Sequence, residues 1–367
     1  MRKTKLRIIF LVQAEGRGHM TQAISLSNIL RKNGHELICT FIGKSKRRQL
    51  PDFFKENIHS PVIELDSPNF VTDKDNKSIN IAGTLIYNAR FLGKYQKSMK
   101  LIDQKIKETN PDILINFYDF LGGFYFQFFR PKVKHVCIGH QFLADMPEFP
   151  FAPNRFIERK LFQTNNWLTS QGNTLKLALS FRPYQQKRHN NTVVVPPLMR
   201  DEIKNLKPEK KDFMLGYMVN DGYGDDIIKW HEKNRDVKIE CFWDRKEVDN
   251  PYTPHENLRF HQLSGELFME KMRTCKAYVS TAGFESICEA MYLKKPVLMI
   301  PVDGQFEQAC NAIDAEKAGA GISNHQFDIQ KLIDYIPHHK VENEWFKEWV
   351  ASAEERILEE ISRVKSR

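Results

Sequence analysis

LRIIFLVQ (6–13) is an almost unbroken apolar run that ends in Ala14-Glu15-Gly16-Arg17-Gly18-His19. A short apolar run stopped by glycines reads as a strand buried on both faces. The amphipathic stretch TQAISLSNILRKNG (21–34) follows and is closed by Gly34; ELICTFIG (36–43) is apolar again. Strand, helix, strand in that order predicts a βαβ unit opening a parallel sheet. PDILINFYD (111–119) and KHVCIGHQ (134–141) repeat the buried-strand pattern, each ending in polar residues.

Around 191–212 the pattern breaks. NTVVV passes through Pro196-Pro197 into a Lys-rich stretch, the composition of a linker. The alternation then restarts. Strands are expected at 213–219, 237–243, 257–261, 277–281 and 296–302, with helices between them, and one long amphipathic helix at 342–364. Strict alternation in both halves predicts an α/β protein with two doubly wound, Rossmann-like domains. The expected division is 1–198, 199–341 and the final helix within 342–367.

Length agrees with two domains, since 367 residues exceed what one core of ordinary size organises. The apolar fraction of 41% excludes a disordered chain. Cys39, Cys137, Cys241, Cys275, Cys288 and Cys310 are scattered and form no Cys-x-x-Cys pair. They read as reduced core residues of a cytoplasmic protein, not as a disulfide or zinc framework. No signal-peptide pattern opens the chain, and 6–13 is too short to span a membrane. The net charge of +9 divides unevenly. Residues 1–200 carry 31 Lys and Arg against 15 Asp and Glu, a balance of +16, and the remainder carries −7. A basic first half suits an anionic partner surface, of which the inner face of a membrane is one. Its basic residues are not interleaved with aromatics as in single-strand nucleic-acid binders, so no nucleic-acid partner is expected.

Ligands of doubly wound sheets bind at the carboxyl ends of the strands. Gly16 and Gly18 permit close backbone approach, and Arg17 lies between them. Thr21 stands where a dinucleotide binder has its third glycine, which argues against NAD. His19, at a helix start, is disfavoured as imidazolium and suits a general base. Asp119, after another apolar run, could orient that base, or could simply form the turn. His140 and Gln141 end the next strand and could line the same cleft. In the second half, Thr281 to Phe284 lead through Gly283 into a helix whose free N–H groups could hold phosphate. Glu285 reads as a complement to that helix dipole. Glu289, a turn further on, suits a ribose diol. Gln305, Glu307 and Gln308 follow a strand end and suit the hydroxyls of a sugar.

Taken in order, 280–312 resembles the nucleotide-sugar signature of GT-B glycosyltransferases, and most closely that of the MurG-type N-acetylglucosaminyltransferases. Gly16-Arg17-Gly18-His19 carries the likeness in the first half. The resemblance implies an acceptor domain first, a donor domain second, and a C-terminal helix crossing back to the first. It implies that Glu289 holds the donor ribose, Glu307 and Gln308 with Gln305 the donor sugar, and Thr281, Gly283 and Phe284 the diphosphate. His261 falls where the family's backbone grips the base, and Asn220 lies in the loop after the first donor strand. His19 matches the acceptor-side histidine. Asp119 matches the aspartate that the related small-molecule and sterol transferases pair with it. The sequence departs from the pattern at Arg17, where a small residue is usual, and at Asn220 to Gly224, where a Gly-rich loop is common. The implied activity is inverting, metal-independent transfer from a nucleotide-diphosphate sugar, most often UDP-linked. No cofactor is expected. The basic first half, with the aromatic run FYDFLGGFYFQFF (117–129), suits a lipid-linked or cell-envelope glycan acceptor, although that run also reads as core strand and core helix. Two rival readings share the architecture: a UDP-sugar 2-epimerase and a non-catalytic nucleotide-sugar binder.

Overall fold

The computed structural model describes residues 5–14, 16–44, 50–68, 88–218, 222–245, 248–340 and 344–365. Glu15 and Asn220 lie outside them.

Eight strands form the first sheet: β1 (Arg7–Gln13), β2 (Glu36–Lys44), β3 (Val62–Asp66), β4 (Ile113–Phe117), β5 (Lys134–Gly139), β6 (Leu175–Leu179), β7 (Arg188–His189) and β8 (Thr192–Val195). Their spatial order is β3-β2-β1-β4-β5-β6-β8-β7. All pairs are parallel except β7–β8. The second sheet is built from β9 (Met214–Tyr217), β10 (Ile239–Trp243), β11 (Tyr252–His255), β12 (Leu258–Gln262), β13 (Ala277–Ser280), β14 (Val297–Met299) and β15 (Gly321–Ser323). Its order is β11-β12-β10-β9-β13-β14-β15, antiparallel only at β11–β12. The doubly wound α/β expectation is borne out in both halves.

Each sheet reverses its winding direction once. In the first, β1 lies between β2 and β4; in the second, β9 lies between β10 and β13. The crevices outside these strand ends are the natural ligand sites. Burial explains why the strands could be read. β1 is buried from Ile8 to Gln13 and β4 throughout, so neither shows period-two alternation. All six cysteines are free and buried. The aromatic run 117–129 is the end of β4 followed by the helix Phe120–Phe129. It is mostly core, although Phe128 is 68% exposed.

Two differences from the expectation have local causes. The stretch 191–212 is not all linker: Thr192–Val195 is a buried strand and Asp201–Lys204 a short helix. The single helix expected at 342–364 is two, Glu344–Ala351 and Ala353–Lys365. They divide at Ser352, whose hydroxyl donates to the Trp349 carbonyl at 2.8 Å and competes with the helical ladder. Trp349 Nε1 anchors the first piece to the Ser180 carbonyl after β6. The second piece lies on β5 and β8, with Lys365 paired to Asp112 and Lys32 to Glu354. The C-terminal helix thus returns to the first half.

Candidate active site

His19 is placed by the turn after β1. Gly16, in extended conformation, caps the helix Arg17–Lys32 without a side-chain hydrogen bond. A Cβ on Gly18 would stand 3.2 Å from Glu285 Cγ, so glycine lets this helix approach the helix Phe284–Tyr292 of the other half. Arg17 turns aside, with its guanidinium over the Phe53 ring. The His19 ring stacks on Tyr118 with centroids 5.7 Å apart. Its Nδ1–H donates to Gln22 Oε1 at 3.3 Å, and its Nε2 faces Gln141 Nε2 at 3.5 Å. In this tautomer Nε2 carries the lone pair. Burial lowers the imidazole pKa to about 4, so the ring is neutral at physiological pH.

Both amides that touch His19 also reach the second half. Gln141 Nε2 donates to Glu307 Oε1 at 3.0 Å, and Gln22 Nε2 donates to Glu285 Oε1 at 2.5 Å. A continuous path Glu285–Gln22–His19–Gln141–Glu307 therefore crosses the cleft between the sheets. Burial raises the Glu307 carboxyl to about 7 and that of Glu285 to about 8.

These shifts set a pH dependence. Both glutamates hold protons in the folded chain at pH values where an unfolded glutamate has lost them, so their contribution to stability falls as pH rises toward 8. His19 acts oppositely, since its pKa is depressed, and it adds stability as pH rises from about 4 to 6.5. Of these three groups only the glutamates still act between about pH 6.5 and 8. Stability should decline there in urea titrations, and the E285Q/E307Q double variant should flatten the decline. An unchanged slope in the double variant would contradict this.

Elsewhere in the second half, Gly283 caps the helix Phe284–Tyr292, whose first N–H groups face the cleft end of β13. Thr281 is buried, with its hydroxyl lacking a partner among the described residues. Phe284 stacks on His140 at 4.1 Å. His140 donates Nδ1–H to the Leu179 carbonyl at 2.8 Å and leaves Nε2 unpartnered among the described residues. Gln305 caps the helix Phe306–Lys317. Gln308 uses its Oε1 to accept from the Val302 amide, which holds the strand-end turn. Ser280 Oγ, Gln141 Oε1 and Asn311 Oδ1 are also buried without partners among the described residues. Unpaired polar atoms cost stability in a core, and these flank the crevice where a polar ligand would satisfy them.

Three expected residues have side-chain partners of their own. Asp119 does not reach His19. Its Oδ1 caps the helix Phe120–Phe129 at Leu121 N and accepts from Ser67 Oγ at 2.7 Å, and its Oδ2 has no partner among the described residues. Burial raises its pKa to about 6. Gln22, not Asp119, stands at His19 Nδ1, and Asp119 takes the other role open to it, in the turn that starts a helix. Glu289 is buried and accepts at Oε1 from Arg200 Nε at 2.8 Å and Nη2 at 2.6 Å. The side chain of His261 pairs with Glu240 at 2.5 Å. Gln22 and Arg200 do not stand out in the sequence. Gln22 had a usable signal, because it lies three residues after His19 on the same helix face.

The family model described as Glycosyl transferase family 1 matches residues 6–338. No curated protein matches the sequence. Among solved structures, the chain is similar to UGT2 of Phytolacca americana, solved with UDP-2-fluoroglucose and pterostilbene. That likeness has 11% identity, a TM-score of 0.66, and coverage of 99% of this chain and 100% of the other. It is similar to MurG of Acinetobacter baumannii at 13% identity and TM-score 0.58, over 98% of this chain and 100% of that one. LpCGTa in complex with UDP shows 11% identity and TM-score 0.63, over 99% and 100%. These likenesses show the GT-B fold.

Proposed function

This chain belongs to glycosyl transferase family 1 and is a glycosyltransferase, and we propose that it transfers a sugar from a UDP-linked donor to an acceptor hydroxyl with inversion of configuration. The observation that carries this reading is the placement of His19. Its basic Nε2 faces Gln141 and, through it, Glu307 on the donor side of the cleft. Nε2 takes the proton of the acceptor hydroxyl as that oxygen bonds to the anomeric carbon. The bond from that carbon to the phosphate oxygen breaks, and the nucleoside diphosphate leaves. The ring is neutral throughout the physiological range, so Nε2 keeps its lone pair, although burial weakens it as a base.

Glu307 and Gln141 lie where the sugar would sit, and Gln305 and Gln308 hold the turn beside them. The N–H groups following Gly283 stabilise the charge of the departing diphosphate, so no metal ion is invoked. Thr281 and Phe284 flank those groups. Glu289 keeps one oxygen free of Arg200 for the ribose hydroxyls. The backbone of β12 near His261 meets the base. Gly16, Arg17, Gly18 and His140 border the acceptor side. UDP in two of the structural relatives supports the choice of base. Release of UDP from UDP-sugars, followed in the presence of membrane-lipid extract, tests the reading. Release that depends on both extract and His19 supports it. Release without any acceptor and independent of His19 would overturn it.

The acceptor we propose is lipid-linked, met on the inner face of a membrane. The support is the helix Phe156–Thr169. It exposes Phe156, Ile157, Leu161 and Trp167, with Arg159 and Lys160 also exposed beside them. An apolar stripe edged with cations suits the surface of an anionic bilayer. No helix among the described residues is long and apolar enough to cross a membrane. The chain should float with phosphatidylglycerol vesicles and release in salt, and I157S/W167S should weaken flotation at least several-fold. Equal flotation of the variant, or none by the wild type, would contradict surface binding.

A further inference from the structure

We infer that Gln22, clamped by Glu285 of the opposite half, is the positioning residue that sets the tautomer of His19. The inference rests on the reading of His19 as the base. Its observations are geometric and independent of substrate. Gln22 follows His19 by three residues, and its carboxamide has two ends with different partners. Oε1 accepts from His19 Nδ1–H at 3.3 Å, while Nε2 donates to Glu285 Oε1 at 2.5 Å. The glutamate determines which end of the amide points where, since an accepting carboxyl oxygen selects the NH2 group and turns the amide oxygen to the ring. The ring must then carry its proton on Nδ1 and present Nε2 as the base.

Steric space supports the contact. The backbone at Gly18 leaves just enough room for the Glu285 stem, whose Cγ lies 3.2 Å from the point that a Cβ would take there. Gln22 itself is buried, at 3% exposure, so water competes poorly for either end. Asp119, the other candidate for this task, spends its Oδ1 on Ser67 and Leu121. Because Gln22 and His19 belong to the first half and Glu285 to the second, the base is set in its working form when the halves meet.

Nitrogen-15 spectra of the imidazole rings test this without knowledge of the substrate. H19Q identifies the His19 signals by difference. In the wild type, His19 should be the Nδ1–H tautomer at pH 7. In Q22L the ring loses its acceptor and should shift toward the Nε2–H form common in free histidine. E285A should produce a partial shift in the same direction, and E285Q, whose amide oxygen still accepts from Gln22, should preserve the wild-type spectrum. A purely structural role for Gln22 would leave the tautomer unmoved. An unchanged spectrum in Q22L would therefore overturn the proposal, and a change in Q22L with none in E285A would overturn the clamp. If the spectra behave as stated while H19A retains full transfer activity, the reading of His19 as base fails and the positioning of its ring stands.

Discussion

H19A is expected to lose about 10²- to 10⁴-fold in kcat, the range that one general base supplies. Its melting temperature and its affinity for nucleoside diphosphate should stay close to those of the wild type. The physical ground is that His19 contributes a lone pair at the cleft and little packing. The ring stacks on one face of Tyr118. The donor contacts proposed above sit on the other half, at the ends of β13 and β14. The effect should therefore fall on kcat, with little change in the KM for donor. Assay of UDP release at saturating acceptor measures it. A loss under about fivefold would mean that another group takes the proton, and Asp119, with its Oδ2 unpartnered among the described residues, would be the next to replace.

R182A should lose about 3–5 kcal/mol of stability, the cost of stranding a buried charge. Asp314, on the helix Phe306–Lys317, has no exposed surface. Its Oδ1 accepts from Arg182 Nε at 3.1 Å and its Oδ2 from Tyr184 OH at 3.3 Å. Both partners come from the segment after β6, so the cluster joins the two halves of the molecule. Burial holds the Asp314 carboxyl above the usual range even with the guanidinium beside it. A carboxyl whose folded pKa is raised loses stability as pH rises through that pKa. Removal of Arg182 raises it further, so the deficit should be larger at pH 8 than at pH 5. Urea titration at both values measures it, and R182A/D314N should recover most of the loss, because a neutral amide needs no counter-ion. A deficit below about 1 kcal/mol at pH 8 would contradict the assignment.

The parts of this molecule that were legible in its sequence are those governed by local pattern. β1, β4 and β5 show as apolar runs because both of their faces are covered, and Gly283 stands at a helix start that alternation alone reveals. Short edge strands such as β7 and β15 carry too few residues to show a period. The site was legible as a set of strand ends and much less so as a set of contacts. Gln22, Gln141, Glu285 and Glu307 meet only because two halves more than a hundred residues apart close on each other. Glu285 illustrates the difference. From sequence it is a carboxylate at a helix N-terminus, and in the structure it is a group with a raised pKa gripping the helix of the other half. Asp119 illustrates the converse. Its place after an apolar run fits a catalytic partner, yet its side chain caps the helix that it precedes.

The most direct test of the donor site is thermal denaturation with UDP, GDP, dTDP and CDP, each with and without magnesium. UDP should raise the melting temperature, magnesium should leave the rise unchanged, and E289A should abolish it. No rise with any diphosphate, or a rise that survives E289A, would contradict a nucleotide-sugar site at the ends of β13 and β14.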